Sequence, residues 1–144
     1  SCIVAGYASD RLIAAGHSPT KVRKGFAGAG LALATIIVPV TFIKDSDAAM
    51  LLLVAACLAF GVYTSNLFAI TQTLAGPRAA GKWTSFQNGF GNFAGVLAPW
   101  LTGVVVDKTG HFELAFLVAA GFALFGSFNF AIGVGPIREV AWKR

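Results

Sequence analysis

Charge is the scarcest commodity in this sequence: only 12% of the 144 residues are Asp, Glu, Lys or Arg, while 56% are hydrophobic. A soluble domain carries about 25% charged residues, so an ordinary water-facing surface is excluded. With a mean hydropathy of +0.73, the chain reads as a membrane protein. Cysteine is nearly absent as well. Cys2 and Cys57 both fall in apolar runs, without a C-x-x-C spacing or a His/Cys cluster, which excludes a metal or redox pair and leaves two packed thiols.

Histidine is equally sparse. His17 and His111 fall between apolar runs with no second His or acid at ligand spacing, so no metal is expected. No G-x-S-x-G, H-E-x-x-H, Walker or dinucleotide pattern occurs, and Gly89-x-Gly91 is too short and too deep in an apolar run to cradle a phosphate. Neither an enzyme nor a cofactor is expected. A net charge of +5 raises nucleic acid as a partner, but no basic-aromatic surface interleaves the cations, which excludes it. No charged residue falls at membrane depth, so no intramembrane proton carrier or counter-ion is visible.

What is present is apolar length. Runs at 25–43, 48–74, 83–106 and 112–137 each approach or exceed the roughly 20 residues of helix that span a bilayer. Residues 1–7 read as the end of a truncated helix, since no initiator Met, cationic n-region or A-x-A cleavage site makes them a signal peptide. The expected fold class is an all-α membrane protein, with the end of one helix followed by four complete transmembrane helices.

The few charges are ordered. Arg11, Lys21, Arg23 and Lys24 fall in loop 8–24, Arg78 and Lys82 in the third loop, and Arg138, Lys143 and Arg144 in the tail 138–144, whereas Lys44 and Lys108 stand alone beside acids. The positive-inside rule makes 8–24, the third loop and the tail cytoplasmic, so the C-terminus is expected on the cytoplasmic side of the plasma (inner) membrane. Gly25, Gly28, Gly30, Gly91, Gly95, Gly103, Gly121 and Gly126 thread the spans and let helices approach closely. Pro39 and Pro99 predict local bends.

Amides and hydroxyls supply the polarity inside the spans. Thr84, Asn88 and Asn92 recur at i, i+4 and i+8 on one helical face with Gln87 beside it, and Tyr63, Thr64, Asn66 and Gln72 form a patch on the preceding helix. Counted from the intervening loop, Asn66 lies roughly 12 Å deep and Asn88 and Asn92 roughly 8 to 14 Å deep. Amides at one level on neighbouring helices suit the wall of a water-filled cavity, or else bridge helices as structural glue. An amide donates and accepts, which orients a carboxylate or sugar hydroxyl without neutralising it.

The segment Gly6-Tyr7-Ala8-Ser9-Asp10-Arg11 resembles the G-x-x-x-D-R core of the cytoplasmic loop signature of the major facilitator superfamily. "LIAAGHSPTKVRK" resembles the lengthened loop of its anion:cation symporter family, and "QNGFGNFAG", "APWLTG" and "VDKTGHFELAF" follow in the order of that family's last two helices. The resemblance covers essentially the whole chain. It implies a fragment of a twelve-helix transporter bundle, from the end of the eighth helix through the twelfth, with the N-terminal half missing. It further implies transport of a small organic anion, a sugar acid or carboxylate, with a proton or sodium as the co-transported ion, by alternating access around a central cavity. Gly6, Asp10 and Arg11 are then expected to form a conformational latch, with Asp10 near helix N-termini and loop arginines. Asn88, Asn92, Gln87, Asn66, Thr64 and Tyr63 are expected to face the substrate. A small self-associating membrane bundle or channel subunit, and a non-functional remnant, stay open beside this reading. A fragment exposing an amide-lined face to lipid is also expected to be poorly stable alone.

Overall fold

A computed structural model describes residues 1–141. Trp142, Lys143 and Arg144, the end of the expected tail 138–144, lie outside the described residues. Every regular element among the described residues is helical: α1 (Cys2–Ala14), α2 (Pro19–Ala34), α3 (Ser46–Thr109) and α4 (Glu113–Phe128), with a 3-10 stretch at Thr35–Phe42 and a wide π turn at Asn129–Gly133.

Residues 8–24, expected as a loop, are mostly helix. α1 runs on to Ala14, where the amides of Ala15, Gly16 and His17 close onto the carbonyls of Arg11, Ile13 and Leu12. Gly16 takes φ 95°, and extended Ser18 then hands over to Pro19 at the first position of α2, where a missing N–H costs nothing. Polarity marked where the chain leaves the apolar zone, whereas the helix stops only where Gly and Pro stop it.

At the other end of α2 the β-branched run Thr35-Ile36-Ile37-Val38 and Pro39 weaken α-helical bonding. The chain tightens into the 3-10 stretch, and the hydroxyls of Thr35 and Thr41 bond the carbonyls of Ala32 and Val38 at 2.6 and 2.9 Å. Pro39 therefore changes the helix type instead of merely bending it.

The carboxylate of Asp45 caps α3 by accepting from the Asp47 amide at 3.2 Å. The helix covers 64 residues, well beyond one bilayer crossing, and its backbone leaves helical geometry at Gly76 (φ 68°, ψ 173°) just before Pro77. Proline forces its predecessor away from the helical region, and only glycine adopts that combination of φ and ψ without strain. Gly76 thus divides α3 into a first limb, 46–75, and a second, 77–109. Gly110, at φ 70°, ends the second limb by a left-handed cap, its amide bonding Val106 at 2.7 Å.

Three helical stretches, Pro19–Phe42, Ser46–Thr109 and Glu113–Gly133, are long and apolar enough to cross a membrane. α2 and the first limb supply Ala27 and Ile70 to a buried cluster with Ile137, with Tyr63, Leu74 and Phe130 against it, while α1 packs on α3 and α4 on α2. At the tightest crossing, a Cβ on Gly30 of α2 would stand 2.6 Å from the Tyr63 nitrogen and 2.9 Å from the Ala59 oxygen. Ser127 of α4 donates to the Gly28 carbonyl at 2.8 Å, and a Cβ on Gly126 would stand 3.0 Å from Leu31. The remaining glycines of the small-residue pattern, Gly25, Gly91, Gly95, Gly103 and Gly121, face open space among the described residues. The second limb stands largely apart, exposing Phe86, Phe90, Phe93, Val96 and Trp100.

Candidate functional site

The basic end of the bundle gathers the polar contacts between elements. Arg23, on the first turns of α2, lies 3.6 Å from the Asp10 carboxylate of α1 and donates to Thr73 Oγ1 of the first limb at 3.2 Å. Thr73 in turn donates to the Ala69 carbonyl at 2.7 Å. One guanidinium therefore ties three helices together, which its planar fork of donors allows and a single ammonium would not. Arg23 is mostly enclosed while Asp10 is open to solvent, so water screens the ion pair and the bond to Thr73 holds the geometry better.

Of the arginines in the stretch 8–24, Arg23 and not the neighbouring Arg11 meets Asp10. Consecutive helical residues point about 100° apart, and Arg11 lies instead over the ring of Tyr7, 5.4 Å from its centre. Gly6 accepts from the Ser9 hydroxyl at 2.8 Å, but nothing among the described residues stands within 4 Å of where its Cβ would be. Asp10 and Arg23 come together; Gly6 and Arg11 lie beside them without joining.

The C-terminal segment closes over the same end. Val134 accepts from Lys24 Nζ at 2.6 Å, Ile137 donates its amide to Thr20 Oγ1 at 3.0 Å, and Val140 donates to the Leu74 carbonyl at 2.9 Å. Glu139 lies against Gly76. Residues 134–140 thus strap the start of α2 to the Gly76 break.

The amide-bearing residues differ in burial. Asn66 is fully buried in the first limb, donating to the Val62 carbonyl at 3.1 Å and to Ser65 Oγ at 3.3 Å, while its own oxygen carries no hydrogen bond. Tyr63 packs edge-on against Phe130, ring centres 5.8 Å apart. The Thr64 hydroxyl returns to the Phe60 carbonyl at 2.9 Å. Asn88 and Asn92 lie exposed on the second limb, and near them Thr84 Oγ1 and Gln87 Oε1 are buried without a partner. Asn66 is thus enclosed within the first limb, while Asn88 and Asn92 are open on the second. A face carrying amides and unbonded oxygens can orient a polar solute through directed hydrogen bonds, because each amide offers donors and acceptors without net charge.

The sequence reading missed the roles of Arg23 and Thr73, while the break at Gly76 falls between the expected spans 48–74 and 83–106. Gly76-Pro77 is a legible turn signal. The 50-residue separation of Arg23 from Thr73 left no local signal for that contact. Replacing Arg23 by Ala removes both of its contacts, worth about 1.5 to 3 kcal/mol together. The expected result is a lower thermal midpoint, only partly restored by Arg23→Lys; an unchanged midpoint would show that the three helices do not depend on this junction.

Long apolar helices and a polar junction at one end define a multi-pass, all-α membrane protein. The probable galactarate/D-glucarate transporter GudP of Bacillus subtilis (strain 168) is 30% identical over 99% of this chain, which covers 31% of that protein. The hexuronate transporter of the same organism is 37% identical over 59% of the chain, corresponding to 20% of its own length. Probable anion transporter 3, chloroplastic, of Arabidopsis thaliana is 33% identical over 85% of the chain and 24% of its own length. No family model matches the sequence. The chain belongs to the major facilitator superfamily of transporters, a family that is not enzymatic, and spans between a fifth and a third of the length of these relatives.

Proposed function

We propose that this chain is the C-terminal part of a secondary carrier of the anion:cation symporter family that moves a small organic anion, a sugar acid or carboxylate, across the plasma (inner) membrane with a proton or sodium. The observation that carries this reading is the similarity to a galactarate/D-glucarate transporter along 99% of the chain. Relatives whose names give hexuronate and anion as substrates support the same chemical class. The Gly76 break supports counting the two limbs of α3 as separate crossings, each longer than the about 20 residues one crossing uses. The chain then supplies four crossings of a twelve-helix bundle, and the missing N-terminal half faces the open side of the second limb.

In this reading Asn88 and Asn92, with Gln87 beside them, orient the anion from the exposed face of the second limb. Asn66, with its unbonded oxygen, and Thr64 and Tyr63 support the cavity from the first limb. The charge that neutralises the anion comes from the missing half, since the described spans hold no cation at that depth. Asp10 and Arg23, with Gly6 and Arg11 adjacent, form the latch of alternating access. An ion pair and one charged hydrogen bond are enough to bias two nearly balanced states.

The test is uptake of labelled glucarate and glucuronate by cells expressing the full-length carrier. Asn88→Ala combined with Asn92→Ala is expected to lower uptake at least about tenfold at unchanged surface expression, each lost amide contact contributing about 1 kcal/mol. Undiminished uptake would remove both as binding residues. Failure of every sugar acid and carboxylate tried, against a carrier of known expression, would remove the substrate class.

A further inference from the structure

A groove of about 470 Å³ runs between α2 and the end of α4, on a face used neither by the Arg23 junction nor by the amide stripe. Gly25, Gly28 and Ala32 of α2 line its length, and Ala131, in the turn after α4, lines it from the other side. Lys21 and Lys24 stand at its mouth. Their spacing of three, and the spacings of three and four between Gly25, Gly28 and Ala32, put all five along one side of the helix. From Lys21 to Ala32 the groove extends about 16 Å along the helix axis, close to the depth of one leaflet of a hydrocarbon core about 30 Å thick.

Two features select the occupant. Neither lysine has an ion-pair partner among the described residues, since the two ion pairs there join other groups. Lys24 spends one donor on the Val134 carbonyl and keeps two. The mouth therefore favours an anion. The length is lined mostly by glycine and alanine, Ser127 spends its proton on the Gly28 carbonyl and Thr20 accepts from the Ile137 amide, so a fully hydrophilic anion gains little by entering, whereas a hydrocarbon chain fills the space.

We propose that this groove holds one acidic phospholipid, its phosphate between Lys21 and Lys24 and one acyl chain lying along Gly25, Gly28 and Ala32. The site is independent of the transport reading: it requires only that this end of α2 lies at a membrane surface.

The full-length carrier, reconstituted in equal parts of phosphatidylglycerol and phosphatidylcholine and released gently, is expected to retain phosphatidylglycerol by native mass spectrometry. Lys21→Ala with Lys24→Ala should reduce that retention roughly tenfold or more, from the lost attraction of two cations at the lipid surface; Lys21→Arg with Lys24→Arg should preserve it. Gly25→Leu fills the groove where nothing stands within 4 Å of the new Cβ, and should abolish retention with both charges in place. Equal retention by the wild type and Gly25→Leu would overturn the proposal. So would displacement of the lipid by millimolar glycerol phosphate, which would make the mouth a site for free phosphates. Neither readout depends on transport.

Discussion

The protein with Gly30 replaced by Leu is expected to lose about 2 kcal/mol of stability, because overpacking a closed contact commonly costs about 1 to 3 kcal/mol. The cause is local. Even the first added carbon would stand 2.6 Å from the Tyr63 nitrogen, 2.9 Å from the Ala59 oxygen and 3.1 Å from the Tyr63 Cα, all backbone atoms of the first limb. Flexible side chains could swing aside; a neighbouring helix backbone cannot, so α2 and the first limb must separate. That movement also disturbs Ala27 and Ile70, which share the buried cluster with Ile137. Gly30→Ala tests the same contact in milder form: its helix propensity gains about 1 kcal/mol, yet the clash is already complete at Cβ. Both variants are therefore expected to unfold at lower temperature in detergent, Leu more than Ala, as read by loss of monodispersity on heating. A Leu variant as stable as the parent would mean that the two helices do not cross at this point.

Substitution of Gly76 by Ala is expected to be nearly as damaging, for a different reason. Its φ of 68° with ψ of 173° belongs to a region that is open to glycine and costs other residues about 1 to 3 kcal/mol. The added Cβ would also run into the Glu139 side chain. The two causes separate in a double variant: Gly76→Ala with Glu139→Ala relieves the collision but keeps the backbone strain, so it should recover only a minor part of the lost stability. Full recovery would show that the side chain alone was responsible.

These two glycines show how differently structure was written into the sequence. The apolar runs at 25–43, 48–74, 83–106 and 112–137 announced membrane helices because spanning a bilayer demands length and lack of charge, both of which composition displays directly. Boundaries were less legible. Charged residues from Asp10 to Lys24 marked an exit from the apolar zone, but the helix continued through Ala14 and resumed at Pro19, since Asp, Arg and Lys are acceptable in a solvated helix. Gly76-Pro77 was plain in the sequence as a breaker, yet its consequence, one residue of altered backbone between two long limbs, depended on how the flanking turns were held. The pairing of Asp10 with Arg23 needed the turn at Gly16, which folds α2 back beside α1. Asn66 was legible as polar within a span, but its burial followed from the packing of other helices, about which local periodicity says nothing.

The strap formed by 134–140 also bears on the order in which the molecule is made. Its contacts reach Thr20, Lys24 and Leu74, all translated before it, and it contributes Ile137 to their buried cluster. While the ribosome is still delivering the second limb and α4, the bend at Gly76 has no Val140 or Glu139 beside it, and the start of α2 is held by Arg23 but lacks the bonds of Thr20 and Lys24 to this segment. Helix insertion can therefore proceed around an unfastened hinge, and residues 134–140 work as a stitch drawn tight after the cloth is in place.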